Sequence, residues 1–391
     1  MNTLAKPAQR PARPEFSSGP TVKHPGWSLS NLQAAPLGRS HRSKVGKGRL
    51  KEAIDRTREV LQVPDDFLIG VVPASDTGAV EMAMWSMLGP LPVQVAAWES
   101  FSKDWVVDVV DQLKLPGAEA LTAPFGKLPD LSKISPDADL VFAWNGTTSG
   151  VKVPNGDFIS ADRKGITICD ATSAAFAQPL DWAKLDVVTY SWQKVLGGEA
   201  AHGMLILSPR AVARLESHTP TWPVPKLFRM VNKGKFGKDI FEGATINTPS
   251  MLCVEDYLDA LKWVSSIGGL EAMYRRADTN AGIIYDWADK TPWVGGLAED
   301  PATRSNTSVC LKIFDTRVAA LPAERQAEFA KKLTDLLEKE GVALDAASYR
   351  DAPPGIRIWC GGAVEASDLE ALTPWLDWAF ATVADEMLQP A

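Results

Sequence analysis

The sequence predicts an α/β protein with a mostly parallel central sheet that is flanked by helices. Short segments that are apolar on both faces alternate with helical patterns between about residues 50 and 208. Strands that are buried on both faces and separated by helices are typical of a parallel sheet. The candidate strands are Phe67–Val72, Val93–Ala97, Leu140–Ala143, Gly165–Cys169, Val187–Tyr190 and Met204–Leu207. The candidate helices between them are Lys51–Val60, Thr77–Met87 and Asp104–Leu113.

A different pattern begins after Pro249. Strands and helices no longer alternate regularly there, which predicts a smaller α+β domain. The expected elements are a helix from Met251 to about Trp287 with a break at Gly268–Gly269, a strand at Thr307–Phe314, a helix at Ala323–Glu340, a strand at Ile356–Trp359 and a helix from Ala366 to about Met387.

These patterns divide the chain into three parts. Residues 16–265 form the predicted large domain, and residues 266–391 form the smaller C-terminal α+β domain. Residues 1–15 are basic and rich in proline, which opposes an amphipathic helix. We therefore expect a flexible N-terminal arm, laid across a partner subunit.

The composition excludes several classes of protein. A formal net charge of −7 argues against nucleic-acid binding, which usually requires a strongly basic surface. No segment approaches the roughly 18 consecutive apolar residues of a membrane-spanning helix. The four cysteines are scattered and no histidine lies near them at metal-ligand spacing, so we expect free thiols and no metal site. The cytoplasm is the expected location.

Two predicted strands lead to residues that can take part in catalysis. The first leads to Asp170 and the next one to Lys194. Neighbouring parallel strands would bring both residues to the same edge of the sheet. Pyridoxal 5′-phosphate (PLP) enzymes need this pair, since the lysine forms a Schiff base and the carboxylate keeps the pyridine nitrogen protonated. A solvated Asp and Lys at strand ends is the common alternative. Gly197–Gly198 after the lysine and the small residues at 171–175 favour a site, because they allow close approach of a planar ring.

Two polar loops at other strand ends could contribute to the same site. Ser75, Asp76 and Thr77 lie between a predicted strand and a helix, and the start of a helix offers free N–H groups to a phosphate. The loop Trp144–Gly150 is rich in hydroxyl groups that could bind a cofactor. A simple helix cap is the alternative for the first loop.

Four segments together resemble the phosphoserine aminotransferase family, within the class V PLP-dependent aminotransferases of fold type I. They are Phe16–Pro20 (FSSGP), Ser40–Arg42 (SHR), Ser191–Lys194 (SWQK) and Ile246–Pro249 (INTP). The resemblance covers nearly the whole chain, and segments such as WNGTTSG are similar to the α-proteobacterial branch of the family. It implies the fold of PLP-dependent transferases.

The resemblance also implies a role for each site residue. Lys194 would bind the cofactor covalently and move the proton between substrate and cofactor, and Asp170 would pair with the pyridine nitrogen. Trp105 would stack on the cofactor ring, with Phe101 as its rival, and Thr147 would bind the ring. The phosphate of the cofactor would be held by Asp76, Thr77 and Gln193, and by Asn247 and Thr248 of a neighbouring subunit. The functional unit would then be a homodimer with shared active sites.

The substrate-binding residues implied by the resemblance are cationic. Arg42 and Arg357 would bind substrate carboxylates, and His41 would assist at the anionic end. Many family members have an arginine in the turn at residues 73–78, and this chain has none. We expect Arg350 or Lys44 to replace it.

The implied reaction is transfer of the amino group from L-glutamate to 3-phosphohydroxypyruvate, giving O-phospho-L-serine and 2-oxoglutarate in serine biosynthesis. A related 4-phosphohydroxythreonine step of pyridoxine biosynthesis is a second activity that the resemblance allows. The alternatives are a serine–glyoxylate aminotransferase, a cysteine desulfurase and a PLP-fold binding protein without catalysis. Cys310 and Cys360 lie in strand-like apolar segments, which argues against a desulfurase.

Overall fold

The computed structural model describes residues 4–388. Within this range the strands are β1 (Leu68–Pro73), β2 (Val93–Ala97), β3 (Glu119–Thr122), β4 (Asp139–Ala143), β5 (Asn145–Gly146), β6 (Val151–Lys152), β7 (Thr167–Asp170), β8 (Val187–Ser191), β9 (His202–Leu207), β10 (Val231–Asn232), β11 (Lys235–Phe236), β12 (Val294–Gly296), β13 (Ser308–Ile313) and β14 (Gly355–Trp359). The α-helices are α1 (Lys44–Leu61), α2 (Ser75–Met87), α3 (Ser100–Val107), α4 (Pro209–Ser217), α5 (Met251–Ser266), α6 (Gly269–Ala288), α7 (Thr316–Ala319), α8 (Ala323–Lys339) and α9 (Ala366–Met387).

A seven-stranded sheet forms the centre of the large domain, in the order β1-β9-β8-β7-β4-β2-β3. Strands β8, β7, β4, β2 and β3 pair in parallel, whereas β9 runs antiparallel to both of its neighbours, β8 and β1. The predicted α/β fold with a mostly parallel sheet is therefore confirmed. Because only β9 is reversed, the carboxyl ends of β1, β2, β4, β7 and β8 meet at one edge of the sheet.

The sheet is buried on both faces, as its apolar segments require. Side chains of β2, β4, β8 and β9 are buried along the whole length of each strand. Helix α2 packs against β8 and β9, and α1 packs against α5 on the other side of β1. This enclosed sheet is a rigid support for the loops at its carboxyl edge.

A three-stranded antiparallel sheet in the order β12-β13-β14 forms the centre of the C-terminal part. Helices α6 and α8 pack against it, α9 packs on these two helices, and Trp293 stacks on Phe380 with ring centroids 4.3 Å apart. The predicted strands and helices of this part are present, and α9 spans the predicted residues Ala366–Met387. The short hairpins β5–β6 and β10–β11, the edge strands β3 and β12, and the helices α4 and α7 were not predicted.

The described part of the N-terminal arm, residues 4–15, differs from the expected flexible arm. It packs along the C-terminal part of the same chain, where the Leu344 N–H donates to the Pro14 carbonyl at 2.8 Å and the Trp375 indole donates to the Gln9 carbonyl at 2.7 Å. The backbone N–H of Ala12 donates to the buried carboxylate of Asp368 at 2.7 Å. These contacts tie residues 4–15 to the C-terminal part of the same chain.

Two helices that carry site residues begin earlier than their apolar pattern predicts. Helix α1 starts at Lys44, because the Ser43 side chain accepts a hydrogen bond from the Gly46 N–H and caps it. Helix α3 starts at Ser100, because Glu99 and Ser102 form a reciprocal capping box. In both cases the cap, which has no apolar periodicity, sets the first residue.

Residues 4–388 contain neither a membrane-spanning helix nor a cluster of metal ligands. None of the helices there combines the length and the low polarity that a membrane span requires. The same residues contain no cluster of three or more His, Cys, Asp or Glu side chains that could hold a metal ion.

Candidate active site

A cavity lies at the sheet edge where the carboxyl ends of the parallel strands meet. Its walls come from the turn after β1, the start of α3, the loop after β4, the end of β7 and the loop after β8. The lining residues are Gly19, Ser75, Asp76, Thr77, Glu99, Phe101, Trp105, Asn145, Thr147, Asp170, Thr172, Gln193 and Lys194. Seven of the nine residues predicted to bind the cofactor therefore share one cavity.

Lys194 is a buried amine that points into the cavity. Its Nζ donates a hydrogen bond to the Ser18 carbonyl, and a Cβ added to Gly19 would lie only 2.4 Å from this Nζ. Burial, followed by the charge of Arg357, lowers the pKa of Lys194 to about 8. A larger share of neutral amine at physiological pH makes this lysine a better nucleophile than an exposed one.

Asp170 and Asp76 form a pair of carboxyl groups at the end of the sheet. Asp170 accepts a hydrogen bond from the Thr172 N–H at 3.0 Å. Burial and the charge of Asp170 raise the pKa of Asp76 well above its usual range. The Asp76 side chain lies beside Asp170, and its backbone N–H belongs to the first turn of α2.

The turn between β1 and α2 has the geometry of an anion site, although it lacks an arginine. Ala74 and Ser75 have positive φ angles of 65° and 54°, which turn the chain sharply into α2. Gly78 is required in the first turn, because a Cβ there would lie 2.2 Å from the Pro73 carbonyl oxygen. The first N–H groups of an α-helix have no partner within the helix and attract anions. Thr77 is exposed at this point and lines the cavity.

Two aromatic residues from α3 line the cavity, and they differ in exposure. Trp105 is only 4% exposed, whereas Phe101 is half-buried and lies near the lysine, with Lys194 Nζ 6.0 Å from its ring centroid. A residue that stacks on a ligand ring must present one open face. The geometry favours Phe101 for this position over Trp105.

Glu99 is a lining residue that the sequence reasoning missed. It is buried, accepts hydrogen bonds from the Ser102 N–H at 2.6 Å and the Thr148 hydroxyl at 2.9 Å, and so joins α3 to the loop after β4. Burial raises the pKa of Glu99 to about 7. The capping-box spacing of Glu99 and Ser102 was the available sequence signal.

A hydroxyl network holds the loop after β4 in place. The Thr147 hydroxyl donates to Ser173 Oγ at 2.8 Å, and the Asn145 amide donates to the same oxygen at 2.8 Å. Ser308 on β13 in turn donates to the Thr147 carbonyl at 2.5 Å. This network connects both parts of the chain beneath the cavity.

Several buried polar atoms around the cavity have no hydrogen-bond partner among residues 4–388. In the cavity lining these atoms are Asp76 Oδ1, Trp105 Nε1, Thr172 Oγ1 and Gln193 Oε1. Buried polar groups without partners are rare in folded proteins, since each one costs about 1–3 kcal/mol. Together with the buried lysine and the anion-binding turn, they fit a polar, planar, phosphorylated group such as PLP.

Arg357 is a cation close to the cavity that lacks an acidic partner. It lies on β14, and its charge contributes to the lowered pKa of Lys194. Within the described chain no carboxylate lies within 4.0 Å of its guanidinium, and its Nε is buried without a hydrogen bond. Its Cζ lies 5.6 Å from the ring centroid of Tyr349.

The remaining predicted residues lie outside this cavity. His41 is buried with its Nε2 unbonded, and Arg42 is exposed just before α1. Arg350 is exposed and lies over the ring of Tyr349. Asn247 and Thr248 are exposed just before α5. The structure of one chain therefore does not bring these residues to the lysine, although Arg350 is close to Arg357 through Tyr349.

The same architecture occurs in solved structures. A phosphoserine aminotransferase from Cytophaga hutchinsonii matches with a TM-score of 0.76 at 20% identity, over 96% of this chain and 98% of that one. The fold is thus that of the PLP-dependent aminotransferases. No protein-family model matches the chain.

Curated relatives are considerably closer in sequence. Phosphoserine aminotransferase of Methanosarcina mazei is 56% identical over 375 residues, which cover 96% of this chain and 99% of the relative. The enzyme of Methanosarcina barkeri is 56% identical over the same shares of the two chains. The chain belongs to the phosphoserine aminotransferase family and is a PLP-dependent enzyme.

Proposed function

We propose that this chain transfers the amino group of L-glutamate to 3-phosphohydroxypyruvate, giving O-phospho-L-serine and 2-oxoglutarate. The observation that carries the proposal is that Lys194 and Asp170 line one cavity close to Arg357, a cation without an acidic partner. Family membership supports the same reaction. Two half-reactions, one for each amino acid, would use the same cavity.

When bound, PLP supplies an electron sink for the carbanion that forms when the substrate Cα loses its proton. Lys194 would hold the group covalently, and its lowered pKa suits its amine to carry the proton. Asp170 would supply the negative charge that keeps the ring nitrogen protonated. Gln193, Thr77 and the N–H groups at the start of α2 hold the phosphate, while Asp76 supports Asp170.

We propose Phe101 as the aromatic residue that stacks on the cofactor ring, because Phe101 is half-exposed in the cavity. Trp105 then supports it from within the helix. Arg357 binds the substrate α-carboxylate. Arg350, exposed beside Tyr349, is suited to the substrate phosphate in place of the missing arginine.

An amino-donor comparison tests the reaction. Purified, cofactor-loaded enzyme is given phosphoserine, serine, alanine or aspartate with 2-oxoglutarate, and glutamate formation is followed by a coupled assay. A site that binds the phosphate through charged groups should reject a donor that lacks it, so we expect kcat/KM for phosphoserine to exceed that for serine by on the order of 100-fold or more. Equal rates would refute phosphoserine specificity, and no turnover with any donor would refute catalysis. Lys194→Ala is the inactive control.

We further propose a homodimer in which Asn247 and Thr248 reach the cofactor phosphate of the partner subunit. Both residues are exposed and lie outside the cavity of their own chain, which supports such a role. Apolar side chains are exposed near the starts of α1 and α5 and in the segment that precedes α1. They are Leu29, Leu37, Val45 and Leu252. A surface of this kind suits an isologous interface.

Subunit mixing tests the shared site. A Lys194→Ala chain and an Asn247→Ala/Thr248→Ala chain are each expected to be inactive. After verified subunit exchange, one site of each heterodimer has both its lysine and an intact partner loop, so activity should partly return. No recovery, or full activity of the double variant alone, would refute the shared site. Two Lys194→Ala preparations mixed together are the matched control.

We also propose the domain division at about residue 266 and a cytoplasmic location. Helix α5 packs on α1 of the large domain, whereas α6 packs on α9. The helical conformation is interrupted between α5 and α6 at Gly268. Residues 4–15 would then belong structurally with the C-terminal domain. All four cysteines are free thiols, which suits a reducing compartment.

A further inference from the structure

Tyr349 lies at the mouth of the site, on the loop that leads into β14. It is half-buried, and its ring packs against Phe101 of the large domain with ring centroids 5.4 Å apart. The guanidinium carbons of Arg357 and Arg350 lie 5.6 Å and 5.3 Å from the centroid of the same ring. One aromatic ring therefore contacts two cations and the aromatic residue of the cavity.

The contact with Tyr349 is important for Arg357, because an acidic side chain does not hold this arginine. Within residues 4–388 the guanidinium has no salt bridge, and its Nε is buried without a hydrogen bond. The β14 backbone fixes only its Cα, since the Arg357 N–H donates to the Ala346 carbonyl at 2.8 Å. An aromatic face within about 6 Å attracts a guanidinium without neutralising its charge.

A carboxylate partner would hold the arginine as firmly but would compete with the substrate. An aromatic ring orients the guanidinium and leaves its N–H donors available for a bidentate contact with a carboxylate. Because the ring also packs on Phe101, it ties Arg357 of the C-terminal part to the large domain, near Lys194.

We propose that Tyr349 is a positioning residue that holds Arg357 ready for the carboxylate of the substrate through its ring face. The proposal rests on the proposed function only for the identity of the carboxylate substrate. It assigns the effect to the ring and not to the hydroxyl, because no hydrogen bond of the Tyr349 hydroxyl to residues 4–388 is present.

The test measures binding of glutarate, a dicarboxylate without an amino group, to the cofactor-loaded enzyme by calorimetry. Tyr349→Leu removes the ring, Tyr349→Phe keeps it, and Tyr349→Gln is a second ring-free variant if the leucine variant does not fold. The matched control is Tyr274→Leu, which replaces a half-buried tyrosine on α6. Glutamate turnover is measured in parallel, and KM and kcat are compared.

We expect the ring-free variants to bind glutarate about tenfold more weakly, equal to about 1.4 kcal/mol, and to raise KM for glutamate similarly with little change in kcat. Tyr349→Phe keeps the ring and should bind glutarate within about twofold of the affinity of the unchanged enzyme. The tenfold loss expected without the ring lies within the range of cation–aromatic contact energies. The proposal is overturned if the ring-free variants bind glutarate as tightly as Tyr274→Leu, or if Tyr349→Phe binds it as weakly as Tyr349→Leu. A fall in kcat in place of a KM increase would also overturn it. So would failure of the unchanged enzyme to bind glutarate. Ring-dependent glutarate binding without any phosphoserine turnover would refute the proposed reaction and leave the role of Tyr349 intact.

Discussion

The buried amine of Lys194 lowers the stability of the cofactor-free protein by an amount that can be calculated. Its pKa is about 8 in the folded chain, against 10.5 for an ordinary lysine. Because the folded state binds fewer protons between these values, the cost is fully present below pH 8 and disappears as the pH rises above 10.5. With 1.36 kcal/mol for each pKa unit, the cost is about 3 kcal/mol at pH 7 and about 1 kcal/mol at pH 10.

Lys194→Met removes the charge and keeps a side chain of similar length. We expect the cofactor-free variant to be more stable than the unchanged protein by up to about 3 kcal/mol at pH 7, with the difference falling to about 1 kcal/mol at pH 10. Loss of the hydrogen bond to the Ser18 carbonyl offsets part of this gain. The variant should also lose turnover and the visible absorbance of bound cofactor.

Urea unfolding of the cofactor-free proteins at one protein concentration, at pH 7 and at pH 10, measures the difference. Lys226→Met, at an exposed lysine, is the control and should show no such dependence on pH. The reasoning is refuted if Lys194→Met unfolds at a lower urea concentration than the unchanged protein at pH 7. A stability difference of equal size at both pH values would also refute it.

Four further substitutions test the site. Asp170→Ala should keep the cofactor, seen by its absorbance, but lower kcat on the order of 100-fold, and near-normal kcat would count against its role. Phe101→Leu should weaken cofactor binding roughly three- to tenfold, as loss of a stacked aromatic contact predicts. Trp105→Phe should weaken cofactor binding less. A fluorescence titration measures both affinities, and a larger loss for Trp105→Phe would restore Trp105 as the stacking residue. Gly19→Ala places a Cβ against Lys194 Nζ and has an unfavourable φ of +150°, so it should slow the appearance of cofactor absorbance, and loading at the unchanged rate would contradict this.

The carboxyl edge of the sheet shows how far sequence patterns extend to a site. The candidate strand Val93–Ala97 matches β2, and the polar residues that follow the candidate strands do meet in one cavity. Strand patterns work here because burial on both faces leaves a nearly continuous apolar signal. The reversal of β9 leaves no such signal, since an apolar strand reads the same in either direction.

The aromatic residues and the arginines show where pattern reading fails. Phe101 and Trp105 lie four residues apart on one helix, and only their exposure in the folded chain distinguishes them. Tyr349 had no sequence signal, because Phe101 is distant in the chain and Arg357 lies on the strand after the loop of Tyr349. Contacts of this kind depend on how the two parts of the chain pack.

The sequence by itself determined the α/β class, the order of the principal strands and helices, the family and the pair Lys194–Asp170, because apolar periodicity and motif spacing are local properties of the chain. The tertiary structure alone decided that burial raises the pKa of Asp76, that Glu99 joins α3 to the loop after β4, and that the arm packs on its own chain. Burial, distance and charge between residues far apart in sequence control these features, and none of them exists until the chain has folded.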